Sequence, residues 1–122
     1  MAYHLETTAA LTRAHPDLVL IGSGYSYLQE LLPNAAQYQV RTGGVGMVGI
    51  GRMALSYPSL PADVLAERPI DTKMICRTFS DCTTGPRIGT ASGCYPLDEH
   101  YKKSEARVAI AAAKKQKRSR SR

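Results

Sequence analysis

The apolar residues of the first 65 positions fall into short blocks of alternating helix-like and strand-like character. Residues 5–14 place apolar side chains near one helical face, and His15-Pro16 ends that segment. Two uninterrupted apolar runs are typical of parallel strands buried on both faces. The predicted elements are a helix over 5–14, a strand over 18–21, a helix capped by Ser26, a strand over 47–50, and a helix or helical turns over 53–65. This α-β-α-β-α order is what a parallel α/β sheet produces.

Glycine follows each predicted strand at the point where a helix should begin. Gly22-Ser23-Gly24 comes after the first run, and Gly51-Arg52 comes after the second. Glycine lets the backbone approach a phosphate closely, and the first N–H groups of a helix can donate to its oxygens. The Arg52 guanidinium can add two parallel hydrogen bonds. A single glycine turn is most often a simple chain reversal, but two of them with an adjacent arginine indicate a nucleotide or flavin site. Tyr25 and Tyr27 are interpreted as packing residues.

Two segments also carry a family resemblance. They are Leu20-Ile21-Gly22-Ser23-Gly24-Tyr25-Ser26-Tyr27-Leu28, and Gly43 through Met53 leading into Ser56-Tyr57-Pro58. Over residues 1–98 the chain resembles the last two βα units of the old yellow enzyme family of NADH:flavin oxidoreductases. That family folds as a (β/α)8 TIM barrel and holds the FMN phosphate at the ends of strands seven and eight. The resemblance implies phosphate contacts from Ser23 and Gly24 in one turn, and from Gly51 and Arg52 in the next.

The resemblance implies a reaction that we do not expect this chain to perform alone. In the family, NAD(P)H reduces FMN, and the flavin passes a hydride to an activated alkene or a related acceptor. A TIM barrel typically needs about 250 residues, so a chain of 122 residues holds only about two of its strands. The substrate-orienting His or Asn pair and the proton-donating Tyr of the family lie on earlier strands. We therefore expect the C-terminal part of an FMN-binding barrel, incomplete as a barrel and without catalytic residues of its own.

Unfinished strand edges predict association with other chains. The partner is either a polypeptide that supplies the missing barrel strands or a second copy of this chain. The alternative hypothesis is a non-catalytic flavin- or phosphate-binding remnant, or an assembly module that pairs its strand edges with a partner. No run has the length of a membrane span, and the first residues lack the basic start and apolar stretch of an export signal. A cytoplasmic protein without membrane contact is expected.

Three cysteines, Cys76, Cys82 and Cys94, form the second informative pattern. Their spacing resembles the [4Fe–4S] loop that follows the barrel in some multidomain relatives of the family, with Phe79 where another thiolate should stand. Three interpretations are open: a cluster with one missing or non-cysteine ligand, a zinc site completed by His100, and a metal-free remnant of the loop. Because a cubane normally takes four thiolates, the metal-free remnant is favoured and we expect no iron–sulfur cluster. An odd number of cysteines also favours a reducing compartment over a disulfide framework.

Positive charge is concentrated at the end of the chain. Residues 102–122 contain nine Lys or Arg and one acid, whereas the whole chain has a net charge of +6. Good helix formers fill 104–113, and a basic run follows at 114–122. Contact with nucleic acid is one interpretation, but a solvated helical or disordered tail is favoured because no nucleic-acid-binding motif accompanies it. The predicted regions are a barrel segment over 1–75, a cysteine-containing loop over 76–101 and the basic tail over 102–122.

Overall fold

A computed structural model describes residues 1–120 of the chain, and Ser121 and Arg122, the end of the predicted basic tail, lie outside the described residues. The chain divides into two compact units. The first unit spans Met1–Thr78, and the second begins at Phe79. Each unit has buried residues of its own.

The first unit is an α/β structure with a small parallel sheet. The predicted order of helices and strands is confirmed, and a 3₁₀-helix is added after the first strand. Its elements are α1 (Ala2–Ala14), β1 (Ile21–Gly22), the 3₁₀-helix (Tyr25–Leu31), α2 (Leu32–Arg41), β2 (Met47–Val48), α3 (Arg52–Ser56) and α4 (Leu60–Leu65). Pro33 and Pro61 lie in the first turns of α2 and α4. Proline is tolerated there because its missing N–H would have no partner inside the helix.

The sheet is shorter and more exposed than the apolar runs predict. Ile21 pairs with Met47 and Gly22 pairs with Val48, in parallel register. Gly22 is buried, but Ile21 is 61% exposed and Met47 is 57% exposed. The expectation of strands buried on both faces is therefore wrong for this chain. Ile21 and Met47 are exposed because the described residues form a sheet of two strands, and one face of this sheet has no covering layer.

The core of the first unit lies beneath the two glycine turns. Its buried members are Tyr25, Leu32, Met53, Tyr57, Leu60, Ile75 and Cys76. Tyr25 comes directly after the first turn, and Met53 comes two residues after Gly51. Each fully buried apolar side chain of this size typically contributes about 1.5–3 kcal/mol relative to an exposed one. Burial of these two residues therefore fixes both turns against the same core.

Ser26 stabilises a different helix from the one expected. The sequence predicts that Ser26 caps the helix that follows it, but Ser26 lies inside the 3₁₀-helix. Its buried Oγ accepts a hydrogen bond of 3.1 Å from the backbone N–H of Met53 in the first turn of α3. Such first-turn donors have no partner within their own helix. Ser26 thus caps α3 across the fold and joins the segments after β1 and β2.

The second unit consists of three helices within the described residues. They are α5 (Asp81–Arg87), α6 (Glu99–Lys102) and α7 (Glu105–Arg120). Tyr95 and Ile110 are almost fully buried, and the Tyr95 ring packs edge-on against Tyr101 with 5.3 Å between centroids. The basic tail is helical as far as Arg120. Across residues 1–120, none of the helices is both long enough and apolar enough to span a bilayer.

Asp63 ties α4 to the chain on both sides of it. The Tyr57 hydroxyl donates to Asp63 Oδ2 at 2.6 Å, and Arg68 Nε donates to Oδ1 at 2.8 Å. The hydrogen bond from Tyr57 and, to a smaller extent, the one from Arg68 hold the pKa of Asp63 below its usual range. Because the folded-state pKa is lowered, this contribution to stability is present above the unfolded-state pKa of about 4 and is lost as the pH falls through the folded-state pKa.

We predict that Asp63→Asn lowers the urea midpoint at about pH 6 and weakens its fall towards about pH 2. The native chain should lose stability progressively over that acid range, because protonation of Asp63 removes the charge that both donors favour. Glu6→Gln, an exposed change on α1, is the matched control and should follow the native profile. Urea unfolding at a series of pH values measures the effect. An Asp63→Asn profile that parallels the native one at every pH would contradict this account.

Candidate functional site

An open cleft of about 430 Å³ lies beyond the carboxyl ends of β1 and β2. Because parallel strands end at the same edge of a sheet, the two turns that follow them lie side by side. The cleft brings together all four residues that the sequence singles out for cofactor binding: Ser23, Gly24, Gly51 and Arg52. Its other lining residues are Ser26, Tyr27, Gly49 and Ile50. We call it the strand-end cleft.

Gly24 is required by the backbone of the first turn. It has φ of 84° and ψ of 0° and immediately precedes the 3₁₀-helix. In this left-handed conformation a Cβ is strained, and glycine adopts it without penalty. The glycine also keeps the exposed backbone of Ser23 and Gly24 open to the cleft. The first turn therefore presents main chain to a ligand.

Gly51 has a different reason to be glycine. An added Cβ at this position would meet no atom within 4 Å, so packing does not exclude a side chain. Gly51 lies at the N-cap position of α3 and lines the strand-end cleft. A side chain there would occupy space that the backbone now leaves accessible. Glycine at this position therefore leaves the backbone uncovered where it lines the cleft.

Arg52 is held at the cleft by Tyr27. Its Nη2 donates to the Tyr27 hydroxyl at 3.0 Å, and its guanidinium carbon lies 5.0 Å from the centroid of the Tyr27 ring. Such cation–π contacts contribute about 0.5–1 kcal/mol at exposed sites. The interpretation of Tyr27 as a packing residue is wrong, because its side chain is 55% exposed. Tyr25, by contrast, is buried in the core as expected, and burial raises the pKa of its hydroxyl.

The chemistry of the strand-end cleft is that of an anion site. Its described lining residues include one cation, Arg52, and no Asp, Glu or His. The available groups are backbone N–H groups, the Ser23 hydroxyl and a guanidinium, all of which donate to oxygen. Nothing among them is suited to take up or release a proton near neutral pH. These residues can bind and orient an anion, and acid–base chemistry requires other groups.

The three cysteines are divided between the two units. Cys76 is buried in the first unit, where its N–H donates to Met53 Sδ at 3.3 Å and its Sγ accepts from the Thr78 N–H at 3.4 Å. Cys82 and Cys94 belong to the second unit, and His100 there is exposed with its ring edge-on to Tyr101. From position 1 to position 120, no three His, Cys, Asp or Glu side chains are placed to hold a metal ion. The buried Cys76 acts as a packing residue of the core.

Comparisons with known proteins give no relative. No family model matches the sequence, and neither the curated proteins nor the solved structures include a significant match. The resemblance to the old yellow enzyme family therefore rests on the two segments around Gly22–Gly24 and Gly51–Arg52 alone.

We predict that alanine has unequal effects at the two glycines of the cleft. Gly24→Ala should lower the free energy of unfolding by about 1–2 kcal/mol, because it forces a Cβ into the left-handed region. Gly51→Ala should cost less than about 1 kcal/mol, because its Cβ enters open space. Urea unfolding of both variants measures the difference. Equal losses at the two positions would show that the turns are not constrained in this way.

Proposed function

We propose that this chain binds the phosphate of FMN in the strand-end cleft and forms the last two βα units of an FMN-dependent NAD(P)H:flavin oxidoreductase. One observation carries the proposal. Two glycine turns at the ends of neighbouring parallel strands converge on one cleft that contains Arg52 and no carboxylate among its described residues. This is the position at which TIM barrels commonly bind phosphate. The quoted resemblance to the old yellow enzyme family supplies the identity of the cofactor.

The residues of the cleft fit a phosphate group. The open space at Gly51 leaves the backbone approachable, and Gly24 lines the same cleft in a left-handed conformation. Arg52 supplies the positive charge, and its planar guanidinium matches two phosphate oxygens. In this assignment Ser23 and Gly24 bind from one side, and Gly51 and Arg52 bind from the other. These contacts need no rearrangement of Tyr27, which already holds Arg52 beside the cleft.

The role assigned to this chain is binding and orientation. When bound, FMN supplies hydride transfer from NAD(P)H to an activated alkene or a related acceptor. The described lining of the cleft contains no Asp, Glu, His, Lys or Cys, and its one phenol, Tyr27, is already bonded to Arg52. Groups that orient the acceptor and deliver a proton therefore have to come from other strands. We infer that the chain does not catalyse the reaction alone.

The uncovered face of the sheet supports a need for neighbouring strands. The paired residues Ile21 and Met47 are each more than half exposed, as are Leu18 and Val19, which come just before β1. A two-stranded parallel sheet is marginal without further strands or covering layers. A polypeptide that supplies additional strands would bury these side chains, and self-association would do so in its absence.

A non-catalytic flavin- or phosphate-binding module is the second candidate. The observation that favours it is the same lack of carboxylate and imidazole groups in the described lining of the cleft. Both candidates share the phosphate site. They differ in whether a partner that completes the sheet also confers NAD(P)H oxidation in the presence of FMN.

We predict that phosphate contacts carry the affinity for FMN. Arg52→Gln should weaken FMN binding about 10- to 100-fold, because a charge-assisted hydrogen bond contributes about 1.5–3 kcal/mol. Binding of riboflavin, which lacks the phosphate, should stay nearly unchanged. Titration of the flavin fluorescence with protein measures both affinities.

Two further variants sharpen this test. Gly51→Ala should also weaken FMN selectively, since its methyl group enters the space assigned to the phosphate. Arg41→Gln removes an exposed arginine at the end of α2 and is the matched control that should bind FMN normally. Equal affinities of the native chain for FMN and riboflavin would refute the phosphate site.

We predict that the purified chain self-associates through its uncovered sheet face. Ile21→Thr should reduce the association, because it keeps a β-branched residue while removing apolar surface. Leu65→Gln, at an even more exposed position on α4, is the control and should leave association unchanged. Sedimentation velocity over a range of concentrations measures the effect. A monodisperse native monomer with a sharp cooperative melt would show that the two-stranded sheet is self-sufficient.

A further inference from the structure

The second unit contains a charged cleft of about 350 Å³ between α5 and α7. It is lined by Asp81, Arg107, Ala111, Lys114, Lys115 and Arg118. Four of these six residues are cations, and one is an acid. We call it the basic cleft. It lies wholly within the second unit, so it is separate from the strand-end cleft of the first.

The cations form a continuous row because of their spacing along α7. With 3.6 residues per turn, Arg107, Lys114, Lys115 and Arg118 fall within about 100° of one another around the helix axis. Arg107 and Arg118 are about 16 Å apart along that axis. Ala111 lies between them on the same face, and its small side chain leaves the centre of the row open. The four cations thus form a linear row along one side of α7.

The single acid of the basic cleft is neutralised locally. Lys114 Nζ forms an ion pair with Asp81 and donates to the Phe79 carbonyl oxygen at 2.9 Å. These contacts hold α7 against the beginning of α5. Arg107 Nη1 donates to the Lys102 carbonyl oxygen at 3.1 Å, which positions its charge at the other end of the row. With four cations and one acid among its lining residues, the basic cleft keeps a net positive charge.

Lys115 is an exposed cation of this row. Within the part of the chain that the structure describes, no ion pair involves its side chain. Lys114, the first residue of the basic run, is already engaged by Asp81 and by the Phe79 carbonyl oxygen. Lys115 is therefore the residue whose removal most directly tests attraction of an external anion, with the least effect on packing.

We propose that the basic cleft binds the phosphodiester backbone of nucleic acid without sequence preference. One strand of a duplex carries a phosphate about every 3.4 Å along the helix axis, so a row of about 16 Å can contact several successive phosphates. No aromatic side chain lines the cleft among the described residues, so base stacking does not contribute. Binding is electrostatic, and its affinity depends strongly on salt.

The neighbouring face of α7 argues against a membrane surface as the partner. Its exposed residues include Val108, Ala109 and Ala112. Helices that lie in a membrane interface usually carry larger apolar side chains such as Leu, Phe or Trp. A surface of small side chains beside a cationic row suits a hydrated phosphate backbone better than a lipid interior. The partner is therefore assigned as nucleic acid.

The test uses the full chain and a fluorescein-labelled DNA duplex of about 20 base pairs. Fluorescence anisotropy from about 50 to about 200 mM salt should give a linear fall of log affinity with log salt concentration. Lys115→Gln combined with Arg118→Gln should reduce the slope by about 1.8, or about 0.9 for each lost phosphate contact on B-DNA. Circular dichroism of the variant checks that α7 keeps its helicity.

Lys73→Gln is the control, because Lys73 is an exposed cation of the first unit. It should leave both affinity and slope at the native values. The proposal is overturned by a native chain that does not bind at the lowest salt, or by a helical double variant that retains the native slope. It is also overturned if phosphatidylserine vesicles bind the chain while the duplex does not.

Discussion

One buried hydrogen bond organises the strand-end cleft. Ser26 lies after the first strand, Met53 lies after the second, and the bond between them closes the gap between the two turns. Because the donor is buried, loss of its partner would leave an unsatisfied N–H, at a cost of about 1–3 kcal/mol. The Met53 side chain then fills the core and accepts from the Cys76 N–H. The two glycine turns are therefore placed by packing as well as by the sheet.

The sheet itself contributes less to the order of the first unit than its apolar runs suggest. Two paired positions per strand give few hydrogen bonds, and most of the order around them comes from the helical segments that bury Tyr25 and Met53. Gly22 shows how closely the layers approach, since an added Cβ would lie 2.8 Å from the Tyr25 hydroxyl. One face of the sheet is thus packed tightly and the other is uncovered. This asymmetry is the physical basis for assigning further strands to a partner.

The sequence was sufficient to predict the order of helices and strands in the first unit and the two turns that meet at the cleft, whereas α5 and α6 lie in a segment that was predicted to be a loop. That success rests on a general property of parallel sheets, which bring the ends of neighbouring strands to one edge. The roles of Ser26 and Tyr27 could not be predicted, because each depends on a residue more than twenty positions away. Burial of the strands was predicted wrongly, because an apolar run does not reveal whether its neighbours belong to the same chain. The position of Phe79 at the boundary between two units was likewise not visible in the cysteine spacing.

The two clefts are suited to anions of different shape. The strand-end cleft combines backbone from two turns with one arginine, an arrangement that surrounds a compact group such as a terminal phosphate. The basic cleft places separate cations along a helix, which matches charges repeated along a polymer. Short, directional hydrogen bonds dominate in the first case, whereas release of counterions dominates in the second. Affinity at the basic cleft should therefore fall with salt far more steeply than affinity at the strand-end cleft. This difference in salt dependence distinguishes binding at one cleft from binding at the other.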